Sequence, residues 1–384
     1  MISTTPFSAA ELSTRWLTDA LKRCGSLQTA EVSSFEVEPI GGGTSFLSQP
    51  LRIHLTYDAV EAAAPSTLIA KFPSAIPAVR QLALRTGMYL HEVSFYHDVG
   101  DRPGIGIPRC YFAGVNQERS GFLLLLEDLR GGAFGDQLEG CTPGQAQHAL
   151  AELARFHAHW WNHSKLNQLP WLRKSTPEMR DRLQAMYEAR WPTFLVQADS
   201  LLTPSARSFC PTLARNLRPL LDNTAKRNHF TLGHGDFRVD NVFFPASASA
   251  ARPLVVLDWQ RVNRAWSGTN DIANFIAMGL STEDLIAHRE ALLQSYYAEF
   301  EKHGIDDYSF SDLREGYRVS LLETLLFVIV ASGLVEVGDG NQRSTSLAVV
   351  IFVRLLKAIE EAGAWELLDS FSSGANGCKK RSSP

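Results

Sequence analysis

Apolar residues alternate with polar ones through much of the first third of the chain and then recur every three or four positions, so a sheet-rich part precedes a helical one. Ser8-Ala9-Ala10-Glu11 has capping-box form, and Leu12, Trp16, Leu17 and Leu21 follow at helical spacing, predicting an opening helix that ends near Gly25. A strand begins at 35–37. In the next, Leu51, Ile53, Leu55 and Tyr57 alternate with polar residues, and Gly41-Gly42-Gly43-Thr44-Ser45 makes the hairpin turn between the two. A third strand is expected at 68–72 and one continuous helix at 77–99. Strands at 107–112 and 121–126, turning through Gly114 and Asn116, complete a sheet of about five strands. The helical part opens with Thr142-Pro143 as cap and first-turn proline, carrying Leu150, Leu153, Phe156 and Trp160. An inserted pair of helices is expected within 165–228, and further helices at 281–303, 311–334 and 345–362. By composition 372–384 is a disordered tail.

Composition narrows the partners. With 37 Lys and Arg against 41 Asp and Glu, the net charge is −4, and there is no long basic run, so nucleic acid is not an expected partner. Cys24, Cys110, Cys141, Cys210 and Cys378 show no metal-type or disulfide spacing. The N-terminus lacks the basic start and apolar core of a signal peptide, and the longest apolar run is too short for a bilayer. These features predict a cytoplasmic protein with no membrane contact, a monomer or weak homodimer.

Chemistry concentrates in His234-Gly235-Asp236-Phe237-Arg238-Val239-Asp240-Asn241 and in Val255-Val256-Leu257-Asp258-Trp259-Gln260. A carboxylate, an amide five residues later, and a second carboxylate closing a short apolar strand are what phosphoryl transfer from a nucleotide requires. Asp236 would accept or orient the proton of an attacking hydroxyl. Asn241 and Asp258 would offer hard oxygen ligands to Mg²⁺. Upstream, Gly42, Gly43, Thr44 and Ser45 could bring backbone N–H groups to a phosphate, and Lys71 is a single lysine in an apolar strand, suited to bind one. A Gly-Asp pair is also a common turn, but here both halves occur in the right order.

This pattern resembles the kinase catalytic core, with His-Gly-Asp for His-Arg-Asp and Asp-Trp-Gln for Asp-Phe-Gly. Those replacements resemble the aminoglycoside phosphotransferase and choline kinase superfamily of small-molecule kinases, and the longer string resembles its ecdysteroid kinase-like branch and bacterial relatives. The resemblance implies an α+β, protein-kinase-like bilobal fold: a small antiparallel five-stranded sheet lobe, 1–129, and a larger, mainly helical lobe, 130–371, which bind Mg-ATP, with GTP left open. It implies that Glu92 pairs with Lys71, and that Glu127 and Leu129 form a hinge meeting the adenine. Arg238, beside Asp236, could touch the transferring phosphoryl or equally pair with Asp240 or an acidic neighbour. Asp271 reads as a helix cap, though in the resembled family the acidic residue there helps to hold the catalytic loop. His157, His159 and His163 have no carboxylate at metal spacing and read as satisfied or exposed.

The expected reaction is transfer of the γ-phosphate to a hydroxyl of a small molecule. Without an Ala-Pro-Glu segment after Asp258 there is no peptide platform. Tyr317, Leu322, Leu325 and Phe327 lean toward a fairly apolar, sterol-like alcohol. The alternatives are a nucleotide-binding pseudokinase with a regulatory role and an aminoglycoside-type antibiotic kinase.

Overall fold

A computed structural model describes residues 5–40, 48–116, 121–246, 254–335 and 342–368. Gly42, Gly43, Thr44 and Ser45, and the tail at 372–384, lie outside the described residues. In chain order the elements are α1 (Thr14–Arg23), β1 (Val32–Pro39), β2 (Ser48–Tyr57), β3 (Thr67–Pro73), α2 (Pro77–Arg85), α3 (Met88–Asp98), β4 (Cys110–Asn116), β5 (Gly121–Glu127) and β6 (Gly132–Phe134). There follow α4 (Pro143–His159), α5 (Lys165–Gln168), α6 (Pro177–Gln197), α7 (Pro204–Thr224), β7 (Phe230–Gly233), β8 (Val242–Pro245), β9 (Val255–Val256) and β10 (Asn263–Trp266). Four helices end the chain: α8 (Thr269–Gly279), α9 (Thr282–Lys302), α10 (Phe310–Val335) and α11 (Gln342–Glu361). They divide into two compact units, one comprising residues up to 133 together with 245–261, the other 134–244 and 262 onward.

Unit 1 is built on an antiparallel sheet of order β1-β2-β3-β5-β4. Leu51, Ile53 and Leu55 are buried because alternate residues of a strand face the same side. That side is covered by α1, whose Trp16, Leu17 and Leu21 join Leu68, Leu123 and Leu125 in one core, each large side chain contributing about 1.5–3 kcal/mol by leaving water. The opposite side of β5 meets α3, where Tyr89 stacks on Phe122 at 4.6 Å. Covered on both faces, β5 is apolar at every position from Phe122 to Leu126, with no polar alternation.

Three local expectations shift. Ser13 caps α1, its Oγ accepting the Trp16 N–H at 3.2 Å, whereas Ser8 only opens a 3₁₀ turn over Ala9–Glu11 and makes no side-chain cap. The helix expected at 77–99 is two helices, because Gly87 between them takes φ +73°, a left-handed conformation that stops one helix and starts the next. Gly114 and Asn116 lie within β4, paired with Leu123 and Gly121, and are strand residues, not the expected turn.

Unit 2 opens as its cap predicts: Thr142 and Gln145 bond reciprocally at the start of α4. Ala146, Ala149, Leu150, Leu153, Phe156 and His157 form its buried face. The inserted helices are α6 and α7, and Ser281 caps α9 by accepting the Asp284 N–H at 3.0 Å. Tyr317, Leu322 and Leu325 are core of α10, not the lining of an open site, whereas Phe327 is 40% exposed. No described helix is long and apolar enough to cross a membrane.

Candidate active site

In unit 1 the sheet delivers the lysine. Lys71 sits in β3 between Pro50 and Leu124, and α3 brings Glu92 to 2.7 Å from its Nζ. Asp258, arriving on the segment after β9, bonds the same ammonium. The pairing of Lys71 with Glu92 expected from the resemblance is thus present, and Asp258 completes a triad. Lys71 and Glu92 are buried, and the Asp258 side chain is about one-third open. Burial alone would push the Lys71 pKa down, but Asp258 and Glu92 outweigh it and hold the ammonium charged beyond its usual range. For Glu92 burial wins over the attraction of Lys71 and raises the carboxyl pKa, with the Asp258 charge adding to the rise.

The segment carrying Asp258 is fixed from below. Trp259 is fully buried, stacks on Phe95 with ring centroids 3.9 Å apart, and donates its indole N–H to the Val256 carbonyl at 3.1 Å. Phe95 lies three residues after Glu92, hence on the same helical face. One aromatic stack therefore sets the height of both carboxylates. Asp258 itself takes φ +63°, a conformation costing about 1 kcal/mol or more, of the kind concentrated at functional sites.

The hinge positions behave unequally. The Glu127 N–H donates to the Arg109 carbonyl at 2.8 Å, and its carboxylate accepts the Arg109 N–H at 3.2 Å. Leu129 has no hydrogen-bond partner among the described residues. Asp128, not singled out from sequence, turns its carboxylate inward to Arg52 at 3.0 Å and to Arg130 at 2.9 Å, pinning the hinge to β2.

In unit 2 Asp236 follows β7 on a loop that is bonded from both ends. Asp271 accepts the N–H of His234 at 2.7 Å and of Gly235 at 2.8 Å. It is therefore a buried acceptor for the loop and not the helix cap preferred from the sequence. Gly268 occupies the cap position of α8, and Asp271, within its first turn, points away to the loop. Burial alone would raise the Asp271 pKa, but hydrogen bonding and attraction from His157, with the His234 charge and the Gly235 N–H, hold it below the usual range. His157 itself is satisfied, between Asp271 at 3.4 Å and the Tyr296 hydroxyl at 2.9 Å.

Asn241 donates its amide to the Asp236 carbonyl at 2.9 Å and to the carboxylate at 3.4 Å, which orients the aspartate through the amide nitrogen and leaves the amide oxygen out of these two bonds. Arg238 pairs with Asp240 at 2.8 Å, and its Nε stands 3.6 Å from Asp236 Oδ2. Gln137, also missed in the sequence, accepts the Val239 N–H at 2.9 Å and donates its own backbone N–H to Asp240 at 2.7 Å. A lone buried glutamine in a loop offers no spacing by which to find it.

Among the described residues no group of three His, Cys, Asp or Glu could hold a metal. Mg²⁺ commonly takes one or two carboxylates plus substrate phosphates; Asp258 in unit 1 and the Asn241 amide in unit 2 each carry an oxygen of the kind it takes. Two carboxylates on one ammonium also leave an excess negative charge that a cation offsets.

Fold and site define a phosphotransferase of the small-molecule kinase class. The ecdysteroid kinase-like family profile matches residues 42–305, more than half of the chain, and the protein belongs to that family. Among solved structures, the gentamicin complex of APH(2")-IIa is similar over 91% of this chain and 100% of its own at 13% identity and TM-score 0.50, a likeness of fold. The GDP and kanamycin complex of APH(2")-IIIa (15% identity, 94% of this chain and 99% of that one, TM-score 0.49) and Plasmodium vivax ethanolamine kinase (13%, 88% and 83%, 0.46) are further neighbours. No curated protein sequence matches the chain.

Proposed function

We propose that the protein transfers the γ-phosphate of Mg-ATP, with GTP left open, to a hydroxyl of a small molecule. The observation that carries this reading is the Asp236 carboxylate, oriented by Asn241 and flanked by Arg238 on a loop held by Asp271. Bound Mg-nucleotide supplies the phosphoryl group and a metal charge that offsets the developing negative charge. Asp258 and Asn241 are the residues to hold the metal. Lys71, kept charged and aimed by Glu92, binds the phosphates. Leu129 and the carbonyl of Glu127 are the hinge contacts for the base, and Gly42, Gly43, Thr44 and Ser45 remain a phosphate cradle on sequence grounds alone. Asp236 accepts the proton of the acceptor hydroxyl, and Arg238 lies beside it to meet the phosphoryl oxygens.

The acceptor is the open part. With Tyr317, Leu322 and Leu325 in the core, the lean toward an apolar alcohol rests on the exposed Phe327 and on the family's name, which makes steroid alcohols the first class to try. The test is ADP formation from Mg-ATP across steroid alcohols, sugars, amino alcohols and aminoglycosides, with Asp236→Asn as control. A phosphorylated product that vanishes in the control supports the reading. Equal turnover in both proteins overturns it, and tight nucleotide binding with no turnover on any acceptor favours the pseudokinase.

A further inference from the structure

Gln137 is fully buried in unit 2, and the phosphotransfer reading gives it no task. Yet its backbone and side-chain polar groups are all engaged, two of them at the catalytic loop and two at the helices α8 and α11. The N–H donates to Asp240 Oδ1 at 2.7 Å, Oε1 accepts the Val239 N–H at 2.9 Å, and Nε2 donates to the Met278 carbonyl at 2.6 Å. Its carbonyl accepts from Arg354 at 2.9 Å, and the same guanidinium reaches the carbonyls of Met278 and Leu138, each at 3.0 Å. Arg343, also on α11, pairs with the neighbouring Asp136 at 3.0 Å.

There is little slack in this joint. A Cβ at Gly135 would stand 2.3 Å from the Val239 carbonyl, and one at Gly279 would stand 2.7 Å from the Val239 side chain. Asp240 is in turn divided between two partners: one oxygen takes the Gln137 N–H, the other the Arg238 guanidinium. A continuous line of hydrogen bonds therefore runs from α11 through Gln137 and Asp240 to Arg238, whose Nε stands beside Asp236. The family match ends at residue 305, so α11 lies outside it.

We propose that Gln137 is a positioning residue for Arg238 and Asp236, and that Arg354 on the C-terminal helix is its anchor. The proposal rests on the phosphotransfer reading for its effect on rate, but not for its effect on the loop. Freeing the Val239 N–H lets the 239–240 turn relax, and a displacement of the order of 1 Å at a reacting group costs about 10²-fold in rate.

The test pairs steady-state kinetics with amide hydrogen exchange on Gln137→Met, which keeps length and backbone N–H but removes the side-chain amide, and on Arg354→Met, which reaches the same line from α11. Expected are faster exchange over 236–241 in both variants with α4 unchanged, and kcat lowered about 10²-fold at constant nucleotide KM. Gln137→Met combined with Arg238→Met should lose less than the product of the two single losses, since residues coupled through one loop are non-additive. Unchanged exchange over 236–241, or kcat losses that multiply, would overturn the proposal. If Gln137→Met does not fold, Arg354→Met carries the same two readouts. If the wild type turns over no acceptor, the phosphotransfer reading fails, while exchange still decides whether Gln137 holds the loop.

Discussion

In unit 1, Lys71, Glu92 and Asp258 are one another's partners, whereas in unit 2 Asp236 and Asn241 sit on a loop fastened by Asp271 and Gln137. The first arrangement is ionic: the groups meant to meet a ligand already neutralise part of each other's charge in a dry place. The second is a scaffold of backbone N–H groups on buried acceptors, so the working carboxylate stays partly open. Removing a charge should therefore act mainly through stability and nucleotide affinity in unit 1, and mainly through rate in unit 2.

The largest expected effect breaks the comparison at its sharpest point. Asp236→Asn should lower turnover by roughly 10²–10⁴-fold, the usual worth of a general base, with nucleotide affinity unchanged, whereas Asp258→Ala should weaken Mg-nucleotide binding as well. Isothermal titration beside kinetics separates the two, and a matching loss of affinity in Asp236→Asn would erase the distinction. Next, Lys71→Met leaves two carboxylates without their cation and should cost about 3 kcal/mol in denaturant unfolding. Adding Glu92→Leu should recover part of that loss, because the second change removes the stranded charge.

Asp271→Asn sharpens the other half. The His234 and Gly235 N–H groups bond different oxygens of Asp271, so the amide keeps an acceptor for only one of them and loses the charge that bonds His157, at about 2 kcal/mol. A variant as stable as the wild type would show that the loop does not depend on this carboxylate. The smallest effect lies away from both sites. The Glu61 carboxyl is held down to about 2, against an ordinary 4.5, by the backbone N–H groups of Ala30, Gln28 and Thr29. A carboxylate depressed on folding adds stability above its ordinary value and loses it as pH falls through the folded one. The gap in thermal stability between wild type and Glu61→Gln should accordingly shrink between about pH 4.5 and 2, and a constant gap would exclude this contribution.

What was legible in the sequence follows the same divide. Asp236, Asn241 and Asp258 carry their chemistry at fixed spacing, so they stand out, Lys71 shows as one lysine in an apolar strand, Glu92 enters only through the family resemblance, and the five strands show through alternation at β2 and an apolar run at β5. The groups that support them do not. Gln137 and His157 act through contacts more than a hundred residues away in sequence, and no local pattern records such a contact. Asp271 looked like a cap because first-turn acids favour helix N-termini, and only tertiary structure turns it toward the loop. The break at Gly87 was missed because one glycine within a helical pattern is usually tolerated.

The stack of Trp259 on Phe95 has a mechanical consequence. Phe95 rides on the helix that carries Glu92, and Trp259 adjoins Asp258, so the two acids share one rigid lever. A swing of α3 that pulled Glu92 from Lys71 would have to unstack these rings or drag Asp258 along. The ion cluster of unit 1 thus hangs on one aromatic stack on its acidic side, where two separately fastened carboxylates would need two supports.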